Sequence, residues 1–235
     1  MERAILWDFD GTLAHRPGMW GGCLMEMLDE NRPDHGVDSD ELRSFLRDGF
    51  PWHRPDVAHP ELCEPEAWWS HVEALLASAY EGVGIESGPA RTLARLARQR
   101  YVDATCGWRL YDDTMPVLEQ LRSDGWRHAI LSNHVPELPA LVSGLGLSGV
   151  IDVVLTSATT GYEKPHPTAF ELALDSCGRP RELWMVGDNP RADVAGATAV
   201  GIPAILVRTA ADGVARAARD LRGAAAIIAS SYRSG

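Results

Sequence analysis

Lysine is nearly missing from this chain. Among 235 residues it occurs once, at Lys164, whereas all 21 other Lys and Arg positions are arginine. A bias that strong is expected to take a dispensable surface lysine as well, so position 164 asks for a compact ammonium on a flexible stem rather than a planar fork. A chance survivor is the plainer alternative. Positive charge is scarce overall: 33 acidic residues against 22 basic ones leave a formal net charge of −11. Nucleic acid and anionic membrane are therefore not expected as partners, since either needs clustered cations. A small phosphorylated metabolite stays compatible, because its binding depends on a local site and not on the global field. Cys23, Cys63, Cys106 and Cys177 form no Cys-x-x-Cys pair and have no nearby histidine arranged as a metal ligand, so they read as reduced thiols of a cytoplasmic protein. No stretch of about 18 apolar residues exists, and Asp8 and Asp10 interrupt the N-terminal candidate, so neither secretion nor membrane insertion is expected. Internal repeats and low-complexity tracts are absent as well.

Several apolar runs end on polar groups. Ala4-Ile5-Leu6-Trp7 stops at Asp8-Phe9-Asp10-Gly11-Thr12-Leu13, and alternation along a strand points Asp8 and Asp10 the same way with Phe9 turned to the other face. Two carboxylates held that close repel, and a hard divalent cation with oxygen ligands offsets the repulsion. A strand end followed by an Asx-type turn is the simpler reading of this segment taken alone. Ile130-Leu131-Ser132-Asn133 closes a second apolar run on a hydroxyl and an amide, where an N-cap is the ordinary alternative. Gly161-Tyr162-Glu163-Lys164-Pro165 places the lone lysine in a loop before a helix. Leu183-Trp184-Met185-Val186-Gly187-Asp188 is a further strand ending in Gly-Asp, with Asp193 five residues on in the first turn of a helix, where an acid is favourable in its own right. One strand-tip polar site has a simple explanation; four in one chain point to a shared site.

Taken together, Asp8-Phe9-Asp10-Gly11-Thr12, Ser132, Lys164, and Gly187-Asp188 with Asp193 resemble, in order and spacing, the four motifs of the haloacid dehalogenase superfamily, most members of which are phosphatases. The resemblance implies that Asp8 is a nucleophile forming an aspartyl-phosphate and that Asp10 is the general acid and base. It implies that Ser132 and Lys164, with Asn133 beside them, hold the phosphate. Mg2+ would be bound by Asp8, the main-chain carbonyl of Asp10, and Asp188, and Asp193 would orient Lys164 or a metal-bound water. Dehalogenase members lack an acid at the position of Asp10, since halide leaves without protonation, and the phosphonate-cleaving members use a cap lysine that this chain does not have. The expected activity is Mg2+-dependent hydrolysis of a phosphate monoester. A sugar-phosphate mutase on the same core and a non-catalytic phosphate-binding protein are the alternatives.

Beyond Tyr111 strand and helix patterns alternate: helix 115–123, strand 127–131, helix 136–144, strand 151–156, helix 167–176, strand 183–187, helix 190–200, strand 203–207, helix 214–221 and a short strand-like Ala226-Ile227-Ile228. That is the pattern of an α/β fold, a doubly wound parallel-sheet (Rossmann-like) core with its motifs at the carboxyl ends of strands. Residues 15–108 instead hold helix-like windows at 19–31, 39–48, 66–80 and 89–102, expected to form an α-helical cap inserted into a core of residues 1–14 and 109–235, with hinges near 14–18 and 107–112. Candidate cap contacts are the loop Phe50-Pro51-Trp52-His53-Arg54-Pro55, and His15 and Arg16 beside the nucleophile loop; the loop reads equally as a helix connection. At least one of Trp68 and Trp69 is expected in the core, and Arg91, Arg95 and Arg98 on a solvated face.

Overall fold

The computed structural model describes residues 2–231. The first apolar run forms β1 (Arg3–Trp7) in the middle of a six-stranded sheet, with every pairing parallel. Across the sheet the order is β5 (Val153–Thr156), β4 (Arg127–Ser132), β1, β6 (Glu182–Gly187), β7 (Ala204–Val207) and β8 (Ala217–Ala218). The chain builds outward from β1 on one side through β4 and β5, then crosses back to β6 on the other. Ligands of open parallel sheets bind where the order reverses in this way, outside the carboxyl ends of the strands.

Near-continuous apolar strands are what a sheet covered on both faces requires, and β1 shows the division. Ala4 and Leu6 pack with Phe170 and Ala173 of α8 (Pro167–Ser176) and Ala197 of α9 (Gly196–Ala199). Ile5 and Trp7 belong to the opposite layer, with Leu118 and Leu121 of α5 (Thr114–Ser123), Leu138 and Leu141 of α6 (Leu138–Gly144), and Leu221 and Ile228 of α10 (Leu221–Ser231).

Between β1 and β4 the chain makes a two-stranded antiparallel ribbon, β2 (Ala14–His15) with β3 (Arg109–Leu110), and between those strands it is helical: α1 (Met19–Asn31), α2 (Ser39–Ser44), α3 (Pro65–Gly82) and α4 (Ser87–Val102). These helices bury both Trp68 and Trp69. They rest on the core through Trp69 Nε1, which donates to Glu137 at 2.8 Å, and through the His59 amide, which donates to the Gly161 carbonyl at 2.8 Å. The helix expected at 39–48 stops at Ser44, and the short helix α7 (Ser157–Thr160) was not anticipated.

Two assignments near the C-terminus differ from the sequence pattern. The helix expected over 214–221 is absent; β8 lies there instead, and Ala226-Ile227-Ile228 is inside α10 rather than a strand. The Asp220 carboxylate accepts from the Gly223 amide at 2.9 Å and Asp113 accepts from the Leu221 amide at 2.7 Å. The helix therefore starts at Leu221, and its alanines favour continuation. The helix expected over 190–200 begins as a π-helical turn, Pro190–Ala195, before α9. There the Asn189 carbonyl receives the Val194 amide five residues on at 3.3 Å, and such turns concentrate at functional sites.

Candidate active site

Register sets the site. Trp7 stands opposite Ile130 on β4 and Val186 on β6, so the residues that follow, Asp8, Ser132 and Asp188, emerge together at the carboxyl edge. The Asp8 amide still belongs to the sheet, donating to the Val186 carbonyl at 2.9 Å. Past Asp10 the backbone turns at Gly11 with φ 78°, and a Cβ there would fall on the Asp188 carboxylate. Only glycine makes this turn without strain.

Asp8 Oδ1 receives two donors, the Ser132 hydroxyl at 2.7 Å and the Lys164 ammonium at 2.9 Å. Lys164 Nζ also reaches Asp193 Oδ1 at 2.6 Å, and Asp193 Oδ2 accepts from the Asn189 amide at 2.9 Å. Asp193 is fully buried and Lys164 is 3% exposed. Burial works against the ammonium, but the charges of Asp193 and Asp8 outweigh it and raise its pKa, so Lys164 is charged. Gly187 lets Asp193 approach, because a Cβ at 187 would overlap the Asp193 carboxylate.

Carboxylates outnumber the ammonium. Asp8, Asp188 and Asp193 bring oxygens within 4.8 Å of one another, a cluster of hard donors suited to Mg2+ or Ca2+ and to no soft metal. Asp193 spends its oxygens on Lys164 and Asn189, and the partner of Asp188 is the Thr12 hydroxyl at 3.4 Å. Burial, reinforced by Asp8 and Asp193, pushes the Asp188 carboxyl up. Asp10 is likewise raised well above the usual range by burial and then by Asp8 and Asp188. This crowding of buried carboxylates around a single ammonium fits a divalent cation beside Asp8 and Asp188.

This set of strand tips coincides with a family match. A model of the haloacid dehalogenase-like hydrolases matches residues 2–201. The chain belongs to that family. Human haloacid dehalogenase-like hydrolase domain-containing protein 3 is 34% identical over 143 residues, 60% of this chain and 55% of that protein, so the chain matches only about half of the human protein's length. Phosphoserine phosphatase of Thermus thermophilus is 33% identical over 172 residues, covering 67% of this chain and 68% of that enzyme. The solved structure of L-2-haloacid dehalogenase RSc1362 superposes with a TM-score of 0.73 at 25% identity, over 97% of this chain and 99% of that one.

Most of the candidate residues of this hydrolase converge: Asp8, Asp10, Ser132, Asn133, Lys164, Asp188 and Asp193 all line one cavity of about 510 Å³ between the sheet edge and the inserted helices. The Asn133 side chain is tied to the lysine loop. Its amide nitrogen donates to the Lys164 carbonyl at 2.9 Å and its oxygen accepts from the Lys164 amide at 2.7 Å. Both ends of the side chain are spent on the lysine loop, so the Asn133 side chain clamps the Lys164 backbone.

In the connection between α2 and α3, Phe50, Trp52, His53 and Pro55 line the cavity and Arg54 does not. His15 packs on Tyr111 with ring centroids 4.8 Å apart, and buried Arg16 pairs with Glu26, so neither lines the site. Arg91 and Arg95 are exposed as expected, but Arg98 bonds Glu73 at 3.0 Å and lies over the Trp69 ring. Sequence reasoning missed Trp20, Tyr101 and His134 in the cavity wall. For His134 the signal was there, two residues beyond Ser132 in the same strand-tip loop. Tyr101 stacks on Trp20 at 3.6 Å across two helices, and no local pattern announces such a pair.

Proposed function

We propose that this hydrolase cleaves small phosphate monoesters with the help of Mg2+, through an aspartyl-phosphate on Asp8. The observation that carries this reading is the convergence of Ser132 and Lys164 on one oxygen of the Asp8 carboxylate. A phosphoryl group joined to Asp8 lies within reach of the same hydroxyl and ammonium, which can bond its non-bridging oxygens. Phosphoryl transfer needs little beyond such positioning and charge stabilisation.

In the first step Asp8 attacks phosphorus while Asp10, which faces the cavity, gives its proton to the leaving oxygen. Asp10 is then the base that takes a proton from the water attacking the intermediate, which restores Asp8 and releases phosphate. Asp193 holds the Lys164 ammonium in line, and Asn133 holds its backbone. Asp8, Asp188 and the Asp10 carbonyl are the residues that would bind Mg2+, which when bound supplies further neutralisation of the phosphoryl charge. Solved relatives include dehalogenases, but an acid at position 10 serves no halide leaving group and favours a phosphate ester. We read residues 15–108 as a cap domain that closes over the cavity, excludes water and selects the substrate, and the setting as the cytoplasm. Among the described residues no helix is long and apolar enough to cross a membrane, and all four cysteines are free.

The test is a panel of alkyl, sugar and carboxylated phosphates with the purified protein. Phosphate release is expected with Mg2+, none in excess chelator, recovery on adding Mg2+, and inhibition by Ca2+, whose longer bonds and higher coordination misplace the nucleophile. Full activity in chelator overturns the metal assignment. Isomerisation of a sugar phosphate without release of phosphate would make the enzyme a mutase.

A further inference from the structure

Two buried histidines follow the same stretch of chain and are treated differently. His128, on β4, has both ring nitrogens in use: Nδ1 accepts from Trp7 Nε1 at 3.1 Å and Nε2 donates to the Leu118 carbonyl at 3.0 Å. His134, just past the tip of the same strand, is 3% exposed, and neither of its ring nitrogens has a hydrogen-bond partner among the described residues. Buried polar atoms are nearly always bonded, and exceptions in native folds tend to carry a function.

The ring is held by packing alone. The edge of Phe9 meets it at a 5.4 Å centroid separation and 90°, Trp108 lies at 5.4 Å and Tyr101 at 6.0 Å. Its backbone is pinned by the Thr156 hydroxyl, which donates to the His134 carbonyl at 2.6 Å and to that of Val135 at 3.1 Å. A phenylalanine would fill this aromatic slot as well, so the two nitrogens are not explained by the core. His134 does line the cavity, whose wall also holds the phosphate-side residues Ser132 and Lys164 and the stacked Trp20 and Tyr101 of the inserted helices.

We propose that His134 is a substrate-recognition residue whose imidazole bonds a hydroxyl carried near the ester oxygen by the leaving group of the phosphate monoester. This rests on the phosphate-ester reading above and adds a substrate class to it. Burial pushes the ring pKa down to about 3, against the pull of Asp8, so the ring is neutral and offers one N–H and one lone pair. A hydroxyl is both donor and acceptor and can bond either nitrogen. A carboxylate only accepts, and would be brought beside Asp8 and Asp10. A site that bonds a substrate hydroxyl discriminates strongly against the analogue that lacks it, because its own polar atoms are then left unpaired.

Binding can be read without turnover. The Asp8→Asn protein with Mg2+ is titrated calorimetrically with glycerol 3-phosphate and with propyl phosphate, which has the same carbon count and no hydroxyl, and the titrations are repeated with His134→Phe added. Glycerol 3-phosphate is expected to bind at least about tenfold more tightly than propyl phosphate. His134→Phe should shrink that ratio at least about fivefold, and His134→Gln, which keeps a donor and an acceptor, should retain more of it. Should the phenylalanine protein fail to fold, His134→Leu reads the same ratio. A ratio unchanged by removing the imidazole, whether or not both affinities fall, overturns the assignment and leaves the phosphate-ester reading standing. If neither compound nor inorganic phosphate binds, both fall together.

Discussion

Lys164 lies 2.9 Å from Asp8 and 2.6 Å from Asp193 with almost no exposure. In a chain that otherwise uses arginine, Lys164→Arg would be harmless on the surface. Here the guanidinium cannot occupy the point between two carboxylates that a single ammonium fills. Turnover is expected to fall at least about tenfold, roughly 1.4 kcal/mol of transition-state stabilisation, and overpacking should cost about 1–3 kcal/mol of stability. Steady-state rates and a thermal melt check both; wild-type turnover would mean that the ammonium has no part in the chemistry. Lys164 was legible in the sequence as the lone lysine, and Asp8, Ser132 and Asp188 because each is a polar side chain ending an apolar run, a feature that needs only neighbours along the chain. Tyr101 was not, since its meaning depends on rings brought from distant segments, and His134 was passed over although it lies two residues beyond Ser132.

Among the elements, the end of β6 and the π-helical turn after it act as one device. Gly187 has no side chain, so Asp193 can fold back against the strand and hold Lys164. Gly187→Ala would drive a methyl group into the Asp193 carboxylate. The protein should still fold around its sheet, but with Asp193 displaced we expect at least a tenfold loss of turnover; an alanine protein with normal kinetics would show that Asp193 does not need this approach. The strands of the core were readable from their apolar runs, and the inserted helices α1, α3 and α4 from their periodicity, to within about two residues at each end. The failures lie at β8 and α10, where an alanine-rich tract satisfies either pattern. Two acids cap the first turn of α10, Asp220 from the adjoining chain and Asp113 from a distant segment, and only the first is a local signal.

For the whole molecule, acid acts through a buried histidine between the central strands and a helix of one layer. His128 joins β1 and β4 to α5 through Trp7 and Leu118, and burial lowers its pKa to about 4 from the ordinary 6.5. The unfolded chain therefore takes up this proton first. The contribution is fully present above about pH 6.5 and is lost as the pH falls toward 4, by about 3 kcal/mol, since protonated Nδ1 would face the Trp7 N–H donor. Urea midpoints at pH 7.5 and 4.5 should differ less for His128→Gln than for the wild type, and an equal difference would remove His128 from the acid response. The fold as a whole exists, on this account, to bring Ser132, Lys164 and Asp188 from separate segments onto Asp8. The direct measurement is chemical: the enzyme is quenched in acid during turnover of a phosphate monoester with Mg2+, reduced with borohydride and mapped by peptide mass. The account predicts conversion of Asp8, and of no other residue, to homoserine in a substrate-dependent manner. Reduction at another carboxylate, or no modification while phosphate is being released, would contradict it.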